Sequence, residues 1–171
     1  VSAYNRGTAE FVLTEGRPFH PRELGSSKRR LARSIAGAHW QVHGALRYGE
    51  SFLNSQRCLL LDESRELTYV EGFVLDERAG YPELHSWLLL DDSVVDFTAA
   101  PTGEPRRGSE PPPIFGASAH RAYFGVRFSR EYVEQRARRI GELSSLIDDW
   151  ERGFPLLRCP DSEWRHVTPN F

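Results

Sequence analysis

The sequence predicts an α+β fold: an antiparallel sheet preceded by helices and followed by one more. Two runs, "LTYVEGFVLD" and "LHSWLLLDDSVVDFTA", are rich in β-branched and aromatic residues and bounded by turn formers, as strands are. Apolar residues recur at helical spacing from Ser51 to about Leu61 and again after Ser129. The order helix, helix, sheet, late helix is an α+β arrangement.

Taken in order, residues 1–25 hold a short strand around Phe11 to Thr14 and then a proline-punctuated loop. Ser26 or Ser27 starts a helix running through about Ala38. Its opening "KRRLAR" sets cations against the helix dipole. Such a run reads as a solvated face, with a basic partner-binding arm as the alternative. In the helix from Ser51, Phe52, Gln56 and Leu59 share one side, while Leu53, Leu60 and Leu61 extend the apolar surface. Asp91, Asp92 and Ser93 offer a hairpin turn. The segment 101–118, "PTGEPRRGSEPPPIFGAS", is too rich in proline and glycine for a regular element and reads as a long surface loop. "AYFGVRF" forms a third strand. Ser129 then caps a helix to about Trp150, with Val133, Ile140, Leu143, Ile147 and Trp150 at helical spacing. There Arg136, Arg138 and Arg139 are interleaved with Glu131, Glu134 and Glu142, which favours a solvated face over an RNA contact.

At 171 residues the chain is expected to be one domain, large enough for a core without staples. It divides into an N-terminal helical or extended segment to residue 45, a core over 46–128, and a C-terminal helix and tail over 129–171. The net charge of −2 argues against a general nucleic-acid binder, which needs a strong positive field. No apolar run approaches bilayer length and no basic-then-apolar leader is present, so a cytoplasmic location is the expectation. Two cysteines, Cys58 and Cys159, make no disulfide scaffold. His39 and His43 have i, i+4 spacing, but no carboxylate or cysteine completes a recognised metal set. They are expected to be structural or surface histidines, and no metal or cofactor is expected.

Hairpin geometry singles out another histidine. Alternate strand residues share a face, so His85, Trp87 and Leu89 point one way. If Asp91 and Asp92 form a two-residue loop, Leu90 sits opposite Ser93 and His85 faces Thr98. Asp96 is then the diagonal neighbour of His85 on the same side, about 7–8 Å away or less between Cβ atoms. A carboxylate beside an imidazole fixes its tautomer and stabilises its charged form, the orienting role in a nucleophile–base–orienter set. The alternative is a structural histidine. The third member belongs at a helix N-terminus, where backbone donors stabilise a thiolate and later an oxyanion. Ser51 stands there, as either a cap or a nucleophile. Cys58, two turns further in, reads as core.

Together "GESFLNS", "YVEGFV", "HSWLLLDDSVVDFTA" and "YFGVRF" resemble the motif string of small bacterial and phage proteins with a transglutaminase-like, papain-type fold. The resemblance covers roughly Tyr48 to Phe128. In that family the first motif reads Gly-x-Cys-Phe/Tyr-x-Asn-Ala/Ser, the second Tyr-Val-Glu-Gly, and the third His-Ala/Ser-Trp, with Asp-x-Thr closing the next strand. The resemblance implies a nucleophile-bearing helix packed on a sheet that carries His and Asp. It implies a cysteine-peptidase-like amidohydrolase or acyltransferase, with Ser51 in the nucleophile's place, His85 the general base and Asp96 the orienting acid. An oxyanion donor is expected from the Ser51 backbone N–H or from a side chain of "HWQVHGALRY". Gln41, His43 and Tyr48 are available there, and Gln41 is preferred because an amide donates without changing charge. Asn54, Glu71 and Trp87 complete the expected substrate-binding set, with local roles for Asn54 and Glu71.

The family's cysteine is a serine here. A hydroxyl is far less acidic than a thiol, and an imidazole tuned to a thiolate does not readily activate an alcohol. Ser51 is therefore either an inactivating replacement of a working cysteine, the favoured reading, or native. A native serine implies a serine nucleophile or a dead enzyme retained for binding. The expected function is acyl transfer (peptide hydrolysis, deamidation or ligation) on a peptide, amide or acyl-thioester substrate. The alternative is a catalytically silent peptide- or acyl-binding module of the same fold. Neither involves nucleic acid or a membrane.

Overall fold

A computed structural model describes residues 3–47, 49–77, 79–98, 114–115, 120–141 and 143–148. The chain runs α1 (Ala3–Glu15), β1 (Arg17–Phe19), α2 (Ser26–His43), α3 (Ser51–Leu61), β2 (Thr68–Asp76), β3 (Pro82–Leu90), β4 (Ser93–Asp96), β5 (Ile114–Phe115), β6 (Arg121–Phe128) and α4 (Arg130–Ile140). All strands join one antiparallel sheet in the order β1-β6-β2-β3-β4-β5. The class is α+β. No helix among the described residues is long and apolar enough to cross a membrane.

Strand alternation gives the sheet two buried faces. Tyr69, Leu88, Leu90, Val95, Val126 and Phe128 look towards the helices, where they bury with Ile35 of α2, Cys58 and Leu59 of α3, and Val133 of α4. Each such aliphatic side chain contributes about 1.5–3 kcal/mol by leaving water. Cys58 is fully buried, and burial raises its thiol pKa, as for a core residue. The opposite face gathers Val70, Val74, Trp87, Leu89, Val94 and Tyr123 with Phe19 of β1. Gly125 of β6 makes room for the Trp87 ring: a Cβ there would fall 2.7 Å from it and 2.5 Å from Glu71 O.

β3 and β4 join through Asp91 and Asp92, whose φ angles of 51° and 60° are left-handed. That pair is a type I′ turn, which matches the twist of the flanking strands and which aspartate tolerates. Leu90 therefore faces Ser93 and Leu88 faces Val95, the register the two-residue loop requires. Lys28 of α2 reaches Asp91 at 3.3 Å and Arg127 of β6 pairs with Asp92, so neighbouring elements neutralise the turn.

Elsewhere the elements differ from expectation. Phe11 to Thr14 belong to helix α1, because a short apolar run does not by its periodicity tell strand from helix. The strand of this region is β1, beyond Gly16. α2 continues past Ala38 to His43, where Gly44 at φ 78° ends it. Within the expected loop 101–118, Ile114 and Phe115 pair with Asp96 and Val95 as β5; the rest lies outside the described residues, as do Trp150 and Cys159. α4 is capped by Ser129, whose Oγ accepts from Tyr132 N–H at 3.2 Å, but it stops at Ile140 rather than near Trp150. Gly141, left-handed at φ 70°, closes it, and the chain turns back.

The carboxylate of Glu71 explains the turn. It is buried on the helix-facing side and accepts from Tyr69 Oη (2.6 Å), Ser145 Oγ (2.9 Å), Leu146 N–H (2.7 Å) and Ile147 N–H (3.1 Å). Gln56 of α3 donates to Tyr69 Oη at 3.0 Å and to Ser144 O at 2.7 Å. Burial raises the Glu71 pKa against the pull of its four donors. Glu71 thus anchors the segment after α4 and, with no exposed surface, is withdrawn from the substrate-binding set. Glu71→Gln should place an NH2 group among donors and cost about 1–3 kcal/mol. A lower urea midpoint at unchanged slope would report that loss; an unchanged midpoint would show that the carboxylate does not hold the segment.

Candidate active site

β4 is shorter than β3, and the site follows from that inequality. The two strands pair only over Leu88–Leu90 and Ser93–Val95. Hydrogen-bonded pairs alternate along an antiparallel ladder. Counted from Leu90–Ser93 at the turn, the N–H and C=O of Ser86 point to the side that β4 has left. Buried backbone groups need partners, and two serines one turn apart on α3 supply them. Ser51 Oγ accepts from Ser86 N–H at 3.2 Å, and Ser55 Oγ donates to Ser86 O at 3.3 Å. The first turn of α3 thereby takes the place of the missing strand.

Ser51 is the first helical residue, and the N-cap is Glu50, with no side-chain cap bond. The cap reading of Ser51 is therefore corrected: its hydroxyl bonds a strand, not its own helix. Asn54 fixes the approach to it. Its Nδ2 donates to Arg47 O (2.8 Å) and Thr98 Oγ1 (3.1 Å), and its Oδ1 accepts from Arg47 N–H (3.3 Å). With its amide so engaged, Asn54 holds the turn before α3 rather than meeting substrate.

His85 and Asp96 project from the opposite sheet face, beside Trp87, and meet there. His85 Nε2 lies 2.9 Å from Asp96 Oδ2, the diagonal contact that the hairpin register demands. Asp96 is fully buried, yet its oxygens are well supplied. Oδ1 accepts from Thr98 N–H at 2.9 Å; Oδ2 accepts from Tyr123 Oη at 3.2 Å and lies 3.6 Å from Arg121 Nη1. Asp76 holds Arg121 in turn at 3.0 Å. Burial alone raises the Asp96 pKa, but His85, the Thr98 N–H and Arg121 together hold it below the ordinary 3.8. A carboxylate only accepts, so Nε2 donates to Asp96, and in the neutral imidazole Nδ1 holds the lone pair.

The two halves meet at the edge of β3. Ser86 N lies about 2.4 Å from the His85 Cα across one peptide bond. Ser51 Oγ, 3.2 Å from that nitrogen, is thus within about 5.6 Å of the His85 Cα. No hydrogen bond joins Ser51 Oγ to the ring among the described residues; Nδ1 is the nitrogen that Asp96 does not use. The His85 side chain is 16% exposed while that of Asp96 is 0% exposed, so the site opens to solvent at the imidazole.

Compared with family models, curated proteins and solved structures, the chain matches none. The chemistry rests on the site's own geometry. Gln41 is not brought to it: Gln41 is exposed on α2, two residues beyond the buried His39 and so on the far side of that helix. Trp87 is corrected likewise. It is fully buried between Phe19 and Tyr123, ring centroids 5.8 and 5.1 Å away, and offers no surface to substrate. Tyr48 lies outside the described residues. His39 is buried with Nδ1 3.2 Å from Gly44 O, and His43 stands exposed with its ring 5.2 Å away. Among the described residues, no group of three or more His, Cys, Asp or Glu gathers to hold a metal.

Sequence reasoning passed over Ser55, Ser86, Arg121 and Tyr123. Ser55 lies one turn beyond Ser51 and Ser86 follows His85, so docking α3 on the edge of β3 would have found both. Arg121 and Tyr123 depend on the register of β6 against β2, which no local pattern specifies. Because the folded pKa of Asp96 lies below 3.8, its contribution to stability is complete above that pH and is lost as pH falls through the folded value. Urea titrations from about pH 5 to pH 3 should show the parent losing stability relative to Asp96→Asn below about pH 3.8. Parallel curves would mean that the folded pKa is not depressed.

Proposed function

We propose that this chain carries an acyl-transfer site of the transglutaminase-like, papain-type kind, with position 51 for the nucleophile, His85 the general base and Asp96 the orienting acid. One observation carries the reading: consecutive residues of β3 hold the two halves, His85 bonded to a buried carboxylate and Ser86 N–H bonded to the side chain of residue 51. In the proposed cycle, His85 Nδ1 accepts the proton of the position-51 side chain. The freed electron pair attacks the carbonyl carbon of an amide or thioester, and the carbonyl electrons move onto oxygen. The backbone N–H of Ser51, at the uncapped start of α3, is the donor closest in kind to an oxyanion hole. Asp96 stabilises the imidazolium, which returns its proton to the leaving amine or thiol. Water or an amine then releases the acyl group.

A thiol at position 51 would have its pKa lowered by the helix N-terminus and by Ser86 N–H, whereas a hydroxyl keeps its proton. Ser51 therefore reads as an inactivating replacement of cysteine. The absence of a bond between Ser51 Oγ and the imidazole favours a second reading for the chain as it stands, a silent module of the same fold that holds a peptide or acyl group. Ser51→Cys separates the readings. Iodoacetamide should alkylate it at neutral pH at least about tenfold faster than a cysteine placed on the exposed surface, with His85→Ala abolishing the advantage. Intact-mass and peptide mapping would follow the adduct. If Ser51→Cys reacts no faster than the surface cysteine and His85→Ala changes nothing, the acyl-transfer reading fails.

A further inference from the structure

α3 turns Ser51, Ser55, Cys58 and Leu59 towards the sheet. Helical spacing sends Leu53, Arg57, Leu60 and Leu61 the other way. There, with His43 at the end of α2 and Gly141 and Leu143 beyond α4, they line a cavity of about 370 Å³. That is within the roughly 300–1,000 Å³ of small-molecule sites. Its walls are mostly aliphatic, and Leu60 remains 38% exposed. Among the described lining residues, Arg57 supplies the fixed charge. Arg57 makes no ion pair among the described residues. It nevertheless acts on both nearby rings: burial first, then the Arg57 charge, lowers the pKa of His43, and on His39 burial leads, the Gly44 carbonyl opposes it, and His43 and then Arg57 add to it. A half-buried guanidinium thus stands beside an apolar cavity.

We propose that this cavity binds a medium-chain aliphatic carboxylate, its head group on Arg57 beside His43 and its chain along Leu53, Leu60, Leu61 and Leu143. The planar fork of guanidinium matches a carboxylate through two parallel hydrogen bonds, and four leucines remove the methylenes from water. The site lies across α3 from Ser51 and does not rest on the acyl-transfer reading.

Titrations of the full chain with octanoate, hexanoate and octylamine, followed by backbone amide shifts, test the proposal. Octanoate should give saturable shifts centred on residues 53, 57, 60, 61, 141 and 143. Hexanoate, two methylenes shorter, should bind about tenfold more weakly, and octylamine, of opposite charge, should leave these residues unmoved. Arg57→Gln should weaken octanoate binding about tenfold or more at an unchanged thermal midpoint, and Arg57→Lys, which keeps the charge but not the fork, should fall between. The proposal is overturned if octanoate produces no shifts at millimolar concentration, if octylamine shifts the same residues with equal affinity, or if the three proteins bind octanoate alike.

Discussion

The backbone of Ser86 is the point on which the architecture turns. A sheet that ended its pairing there without replacement would bury an unmet N–H and C=O, at a cost of about 1–3 kcal/mol for each group. Ser51 and Ser55 remove that cost, and in doing so they fix where α3 lies, how deep it sits and which way it faces. Asn54, between them, uses the same placement to tie the preceding turn and Thr98 together. A requirement of the sheet thus positions the residue at the head of a helix beside His85. Ser51 and the His85 ring belong to opposite sheet faces, and the open strand edge brings Ser51 Oγ to the backbone beside His85.

The second constraint is the carboxylate of Asp96. An ionised group with no exposure is expensive to keep unless its lone pairs are occupied. Here they are taken by an imidazole, a backbone N–H and a phenol, with a guanidinium close by. These partners come from the hairpin itself and from β6, so the charge is shared between local and distant parts of the sheet. Arg121 bridges Asp76 and Asp96, which places Asp96 within a longer chain of charges along one edge of that face.

What could be read from the sequence was local. The Asp91–Asp92 turn sets its own register, so the meeting of His85 with Asp96 followed from a few residues and the two-residue period of a strand. The bounds of α3 were equally legible, since apolar residues recur at helical spacing from Ser51 to Leu61. α1 was not: Phe11 to Thr14 is as consistent with a strand as with a helix until Val12 is seen buried against the sheet. The length of α4 was misread because Leu143 and Ile147 keep helical spacing although Gly141 breaks the helix and Glu71 draws the chain away. The positions of Trp87 and Gln41 show a related ambiguity. Chemical suitability for a site says nothing of which side of an element faces a cleft, and burial or exposure decided both.

The contacts that assemble the site close loops of very different length. His85 and Asp96 are 11 residues apart, joined by one tight turn, whereas Ser51 and Ser86 are 35 apart. Closing the short loop needs little beyond the hairpin, while the longer closure depends on α3 docking. The site is therefore modular in its connectivity. His85 and Asp96 form a self-registered unit, and residue 51 joins the same strand through a single acceptor atom. Oxygen and sulfur can both fill that socket, so the atom at position 51 is the interchangeable part of the assembly.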